Sequence, residues 1–103
     1  MSMLQPLLSA VREYLEKQGE GYAAPYVNAN ITDSLISNQG EYHICAVESI
    51  HIKGSVFDKL IVSATIKVCG NHPEIDGPVP ENLWVTKRYR MVKDRQVYRS
   101  QVV

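Results

Sequence analysis

The chain has 103 residues, 45% hydrophobic and 21% charged, with eleven basic and eleven acidic side chains. That length fits one domain spanning 1–103 with a single modest core, and the composition excludes global disorder. A formal net charge of zero excludes a whole-molecule attraction to nucleic acid or anionic membrane.

The charge is nonetheless uneven. Residues 1–80 carry five basic and nine acidic side chains, and residues 81–103 carry six and two. Such a split predicts surfaces that complement each other, within one chain or across a symmetric homodimer. The opening stretch "MSMLQPLLSAVREYLEKQ" has no basic leader and no long apolar run, and nothing in the chain reaches bilayer length. A cytoplasmic location without membrane contact is expected, and the Asn30-Ile31-Thr32 sequon then has no glycosylation to direct.

Leu4, Leu7, Leu8, Val11 and Leu15 recur at helical spacing, with Arg12, Glu13, Glu16 and Lys17 largely on other faces. Ser2 is a candidate cap, Pro6 is tolerable in a first turn, and Gly19 stands where a helix should stop. This predicts one amphipathic N-terminal helix. The following "EGYAAPYVNANITDSLISNQG" mixes Pro25, several Asn and small residues. It fits either an extended segment over 30–37 or a short helical turn, closed by a turn at Asn38-Gln39-Gly40.

From Glu41 the period changes to two. "EYHICAVESIHIK" and "FDKLIVSATIKVC" flank Gly54-Ser55 as a hairpin. A three-residue loop, with Lys53 opposite Phe57, separates apolar from polar almost completely. Tyr42, Ile44, Ala46 and Ile50 then share a face with Leu60, Val62, Ala64, Ile66 and Val68. His43, Cys45, Ser49, His51 and Lys53 take the other face with Lys59, Ser63, Thr65 and Lys67. In that register Cys69 opposes Glu41, about 13 Å from Cys45 at ~3.3 Å per residue. A disulfide needs Cα atoms within about 7 Å, so two free thiols and a reducing compartment are expected.

"GNHPEIDGPVPEN" reads as a long Pro/Gly connector. "LWVTKRYRMV" and "QVYRSQVV" read as the last strands, joined by a turn around Lys93-Asp94-Arg95. The expected fold is α+β, one N-terminal helix packed on a curved antiparallel sheet of four to five strands. This order resembles the cystatin-like α+β roll. It is also similar to NTF2-like domains, which commonly end in a basic, aromatic hairpin like "WVTKRYRMVKDRQVYRS". The resemblance is one of topology and carries no diagnostic motif, and no QxVxG-type inhibitor loop is present.

Glu48 is the candidate of most chemical interest. The register puts it on the apolar face among Ala46, Ile50 and Val62, where a carboxylate must be paired, hydrogen-bonded or protonated. Lys87 interrupts the face Leu83, Val85, Tyr89, Met91 in the same way. With Val62 opposite Lys87, the two charges flank Val62 and meet over it. A pocket lined by Tyr42, Glu48, Lys87 and Tyr89 would make Glu48 a tuned acid or base, work that an acidic residue often does in NTF2-like enzymes. The competing reading, which takes precedence, is a structural ion pair or a β-bulge that turns Glu48 to solvent.

Other constellations are weaker. His43 and His51 lie about 26 Å apart at ~3.3 Å per residue, too far to share a metal. His72, Glu74 and Asp76 have unspecific spacing, and a Cys45–His43 pair lacks a third orienting group. No motif implies a cofactor or a phosphate cradle. The six tyrosines, Tyr14, Tyr22, Tyr26, Tyr42, Tyr89 and Tyr98, are expected in core and pocket walls.

Three functions follow in order. The first is a noncatalytic interaction module that forms a homodimer through its sheet or C-terminal hairpin. The second is a binder of a small hydrophobic or polar ligand, or an enzyme, using the Glu48–Lys87 pocket. Nucleic-acid binding through Trp84, Arg88, Arg90 and Arg99 ranks last because the net charge is neutral.

Overall fold

The computed structural model describes residues 4–37, 42–70, 80–94 and 97–102; within these, the side chains of 36, 37, 42, 43, 70, 93, 94 and 97–102 are not described. The expected turn at 38–40, residues 71–79 of the long connector and the Arg95 turn lie outside the described residues.

Helix α1 (Gln5–Lys17) forms where the leucine spacing predicts it, with Pro6 in the first turn and Leu7, Val11 and Leu15 fully buried. It stops at Gly19, whose φ of 74° is open to glycine at no steric cost. The Glu20 amide donates to the Leu15 carbonyl at 2.7 Å and the Gly19 amide to Glu16 at 3.1 Å, a Schellman closure that satisfies carbonyls left over at the helix end. That turn aims the chain through a single 3-10 turn (Gly21–Ala23) into a second helix, α2 (Ala24–Ser37).

Helix α2 corrects the expectation of one helix and of an extended segment near 30–37. Its apolar stripe is Ala24, Val27, Ile31 and Leu35, all buried. Pro25 falls in the first turn, where its missing N–H has no intrahelical partner to lose. Asn30 donates its side-chain amide to the Tyr26 carbonyl one turn back, at 2.9 Å. The α+β class stands, with two helices ahead of the sheet.

Strands β1 (Tyr42–Lys53), β2 (Lys59–Gly70), β3 (Val85–Asp94) and β4 (Val97–Val102) form one antiparallel sheet in sequence order. Both helices lie on one face and share a single core with it, α1 against β1 and α2 against β4. Along β2, Leu60, Val62, Ala64, Ile66 and Val68 all point into that core, as the alternation predicts. Fully burying each larger side chain of this kind contributes about 1.5–3 kcal/mol. Tyr89 and Met91 of β3 complete the buried layer.

The β1–β2 register differs from the expected one. Lys53 pairs with Ile61, not Phe57, so the connection is longer than three residues and Phe57 lies in it, exposed. The slip is an even number of positions, so Ile50 and Ile52 still face the core, opposite Ala64 and Val62. Two irregularities then follow, between Ile44 and Ala46 and between Val47 and Ser49. Each inserts one extra residue on β1 and reverses the facing of the strand. Between them Val47, opposite Ile66, turns inward in place of Ala46 and Glu48. Beyond the second, Ile44 faces the core again opposite Val68.

The same irregularity overturns the cysteine expectation. His43, not Glu41, lies opposite Cys69, and Cys45 is the extra residue of the adjacent bulge. The Cα atoms of Cys45 and Cys69 are 6.0 Å apart and the two are joined as a disulfide. The thiol argument for a reducing compartment therefore falls. Among the described residues, no helix is long and apolar enough to cross a membrane.

Candidate functional site

The bulge at Glu48 decides the fate of the sequence-derived pocket. Glu48 is turned to the solvent side, its side chain 48% exposed, and its carboxylate lies 3.7 Å from Lys67 Nζ. Lys67 also donates to Thr86 Oγ1 at 2.7 Å across the β2–β3 pair. Lys87 lies opposite Ile66, not Val62, on the helix side of the sheet. Glu48 and Lys87 are therefore on opposite faces and do not meet. Tyr89 is 1% exposed within the packed core, and Tyr42 is placed by backbone register alone. The four residues expected to line one pocket are dispersed.

The solvent face of the sheet is a different matter. Directly paired residues on antiparallel strands share a face, so the register assembles rows across three strands. Ser49, Thr65 and Arg88 form one row; His51, Ser63 and Arg90 form the next. Lys53 begins a third, opposite Ile61 and Val92. The β4 register places Gln101 beside Arg90 and Arg99 beside Val92, extending two of these rows to a fourth strand. Ser49, His51, Lys53, Ser63 and Thr65 in these rows are polar positions that alternation assigns to the outer face.

Two adjoining recesses lie on these rows. One, of about 520 Å³, is lined by His51, Ile52, Lys53, Ile61 and Ser63. The other, of about 150 Å³, involves Ser49, His51, Ser63, Thr65 and Arg88. They share His51 and Ser63, so they form one concave tract. Its polar groups are hydroxyls that rotate to donate, an imidazole and cationic side chains, set among the apolar Ile52, Ile61 and Ala64. Lys53, Arg88 and Arg90 form no ion pair with another described residue, whereas Lys67 is engaged by Glu48. The described charge on this face is thus positive in a molecule of zero net charge.

No family model, characterised protein or solved structure matches this chain.

The remaining sequence candidates fall elsewhere. Trp84 is half-buried at the entry to β3, following a short 3-10 turn (Glu81–Leu83). His72, Glu74 and Asp76 lie outside the described residues, and among those described no group of three His, Cys, Asp or Glu is placed to hold a metal. Cys45 is consumed by its disulfide and has no thiolate to serve as a nucleophile. Tyr22 and Tyr26 are 60% and 72% exposed, which corrects their expected place in the core. Tyr22 instead meets the exposed Phe57 ring, centroids 6.1 Å apart.

One structural residue escaped the sequence reading. Glu20 is only 5% exposed and accepts two hydrogen bonds from the β1–β2 connection, from Ser55 Oγ at 2.5 Å and the Val56 amide at 2.7 Å. Tyr14 adds a third tie, its hydroxyl donating to the Gly54 carbonyl at 2.6 Å. Gly54 has φ of 91°, and a Cβ there would collide with the Lys59 carbonyl. The connection is therefore moulded against the helix junction, which holds Lys53 and Ile61 in their rows. The only sequence signal was an acidic residue directly after a helix-stopping glycine.

Proposed function

We propose that this protein is a noncatalytic binding module whose working surface is the solvent face of its sheet, built to receive an anionic group. The observation that supports this reading is the pair of rows His51–Ser63–Arg90 and Ser49–Thr65–Arg88, bordered by Lys53. Charge-assisted hydrogen bonds from Arg and Lys to oxyanions are about twice as strong as neutral ones, and flanking hydroxyls supply the remaining donors. The sheet scaffold fixes the backbone positions of these groups, so binding orders only their side chains. Titration of ¹⁵N-labelled protein with inorganic tripolyphosphate tests it. Amide shifts are expected at Ser49, His51, Ser63, Thr65, Arg88 and Arg90; a titration that leaves these six unmoved refutes the reading.

Self-association remains as a second reading, supported by the position of β1 at the sheet edge. Its two bulges distort the edge near Cys45 and Glu48, a common device against edge-to-edge pairing, but Ser49–Lys53 pairs regularly and offers an unbulged edge. Light scattering at high protein concentration should then give twice the chain mass. A mass of one chain throughout removes this reading.

A further inference from the structure

We infer that the anion taken by the sheet face is the backbone of a double-stranded nucleic acid, bound without regard to sequence. This rests on the proposed anion-binding role of the face and adds the class of partner. Three observations lead to it.

The first is charge complementarity. Lys53, Arg88 and Arg90 are all exposed and have no carboxylate partner among the described residues, while Glu48 on this face is held by Lys67 and the register sets Asp94 opposite Lys59. The second is extent. Arg88 and Arg90 are two residues apart on β3, so their Cα atoms are spaced by about 7 Å at ~3.4 Å per residue. Lys53 and Arg90 are two strands apart, on β1 and β3, which is roughly 10 Å across the sheet at ~4.8 Å per strand. Cations distributed on that scale address several phosphates in succession, whereas one small anion would use only part of them.

The third is what the rows contain. The positions 49, 51, 53, 63, 65, 88 and 90 are serine, threonine, histidine, lysine or arginine, the Lys53 row adds Ile61 and Val92, and none of these is Phe, Tyr or Trp. Sequence-tolerant binding of single strands depends on aromatic side chains that stack bases. Without such a platform, hydroxyl and cationic donors reach the phosphate backbone, which a duplex presents at its higher charge density with the bases enclosed. Phosphate contacts position a protein and carry no sequence information.

Fluorescence anisotropy with labelled duplexes of DNA and of RNA, and with the matching single strands, tests this across a salt series. Three phosphate contacts predict that log K falls with log salt at a slope between about −2 and −3, the same for unrelated sequences. Arg88→Ala and Arg90→Ala should each weaken duplex binding and reduce the slope by about 1. Lys17→Ala, on α1 and away from the sheet's solvent face, should leave both unchanged. The DNA and RNA arms decide which duplex is preferred. Unchanged thermal unfolding of the two arginine variants, both at exposed positions, excludes loss of fold as the cause. Salt-independent binding, tighter binding of single strands, or binding only to phosphatidylserine vesicles overturns the inference. If tripolyphosphate moves the face but no duplex binds, the anion-binding role survives and the duplex does not; if neither acts, both fall.

Discussion

Strands β1 and β2 are each twelve residues long and pair along nearly their full length, yet they obey different rules. β2 has a neighbour on both sides and alternates without interruption, every second side chain entering the core from Leu60 to Val68. β1 has one neighbour and reverses its facing twice, at Cys45 and at Glu48, while its inward residues Ile44, Val47, Ile50 and Ile52 remain only half-buried. A central strand is held by two ladders and a buried face, so a bulge there would disrupt both neighbours. An edge strand can take up an extra residue on its open side, and that freedom carries Glu48 from the core to solvent.

The largest expected effect tests the difference in burial. Leu60→Ala or Ile66→Ala in β2 should destabilise the fold by about 2–5 kcal/mol in urea unfolding, with a cavity left in a packed interior. Ile50→Ala in β1 should cost less than half of that. Equal losses would show that the edge strand is as deeply packed as the central one.

Next comes the covalent tie between the strands. Replacing Cys45 and Cys69 together by serine opens a link across 24 residues of sequence, for which about 2–4 kcal/mol is typical. Intact mass should show the native chain lighter than its reduced form by two hydrogens. A native mass equal to the reduced one would contradict the disulfide.

At the other end of the hairpin, Glu20→Ala removes the carboxylate that receives Ser55 and Val56. Hydrogen bonds to charged groups contribute about 1.5–3 kcal/mol, and the loss should appear as faster amide exchange at Val56 as well as lower stability. Unaltered exchange there would mean that the connection holds its shape without the helix junction. The smallest effect is expected at Glu48→Gln. Its partner Lys67 is solvent-screened, so the change should stay within about 0.5 kcal/mol. A clear gain in stability would instead place the carboxylate in an apolar setting.

Much of this architecture was legible in the residues. The Leu7–Val11–Leu15 stripe with Gly19 gave α1, the β2 alternation gave the two faces of the sheet, and the alternation of "WVTKRYRMV" gave the outward positions of Arg88 and Arg90 on β3. Helix α2 carries an equally regular stripe from Ala24 to Leu35, but Pro25 and the surrounding Asn, Thr and Ser residues have low intrinsic helix preference. Packing against the sheet overrides that preference. The bulge at Glu48 has a local mark, a carboxylate on the apolar phase, which a bulge turning it to solvent explains; the bulge at Cys45 has none, since both phases of β1 offer apolar residues, Ala46 in one and Val47 in the other. Glu20 was hidden for a different reason, its partners lying 35 and 36 residues away in sequence.

The central claim is that β1 changes facing twice against a regular β2, and methyl–methyl nuclear Overhauser contacts across the pair test it most directly. Cross-strand contacts Ile52–Val62, Ile50–Ala64, Val47–Ile66 and Ile44–Val68 are the predicted result. Contacts Ile50–Leu60, Ala46–Ala64 and Ile44–Ile66, the pattern of an unbulged hairpin with a three-residue loop, would contradict it and return Glu48 to the core.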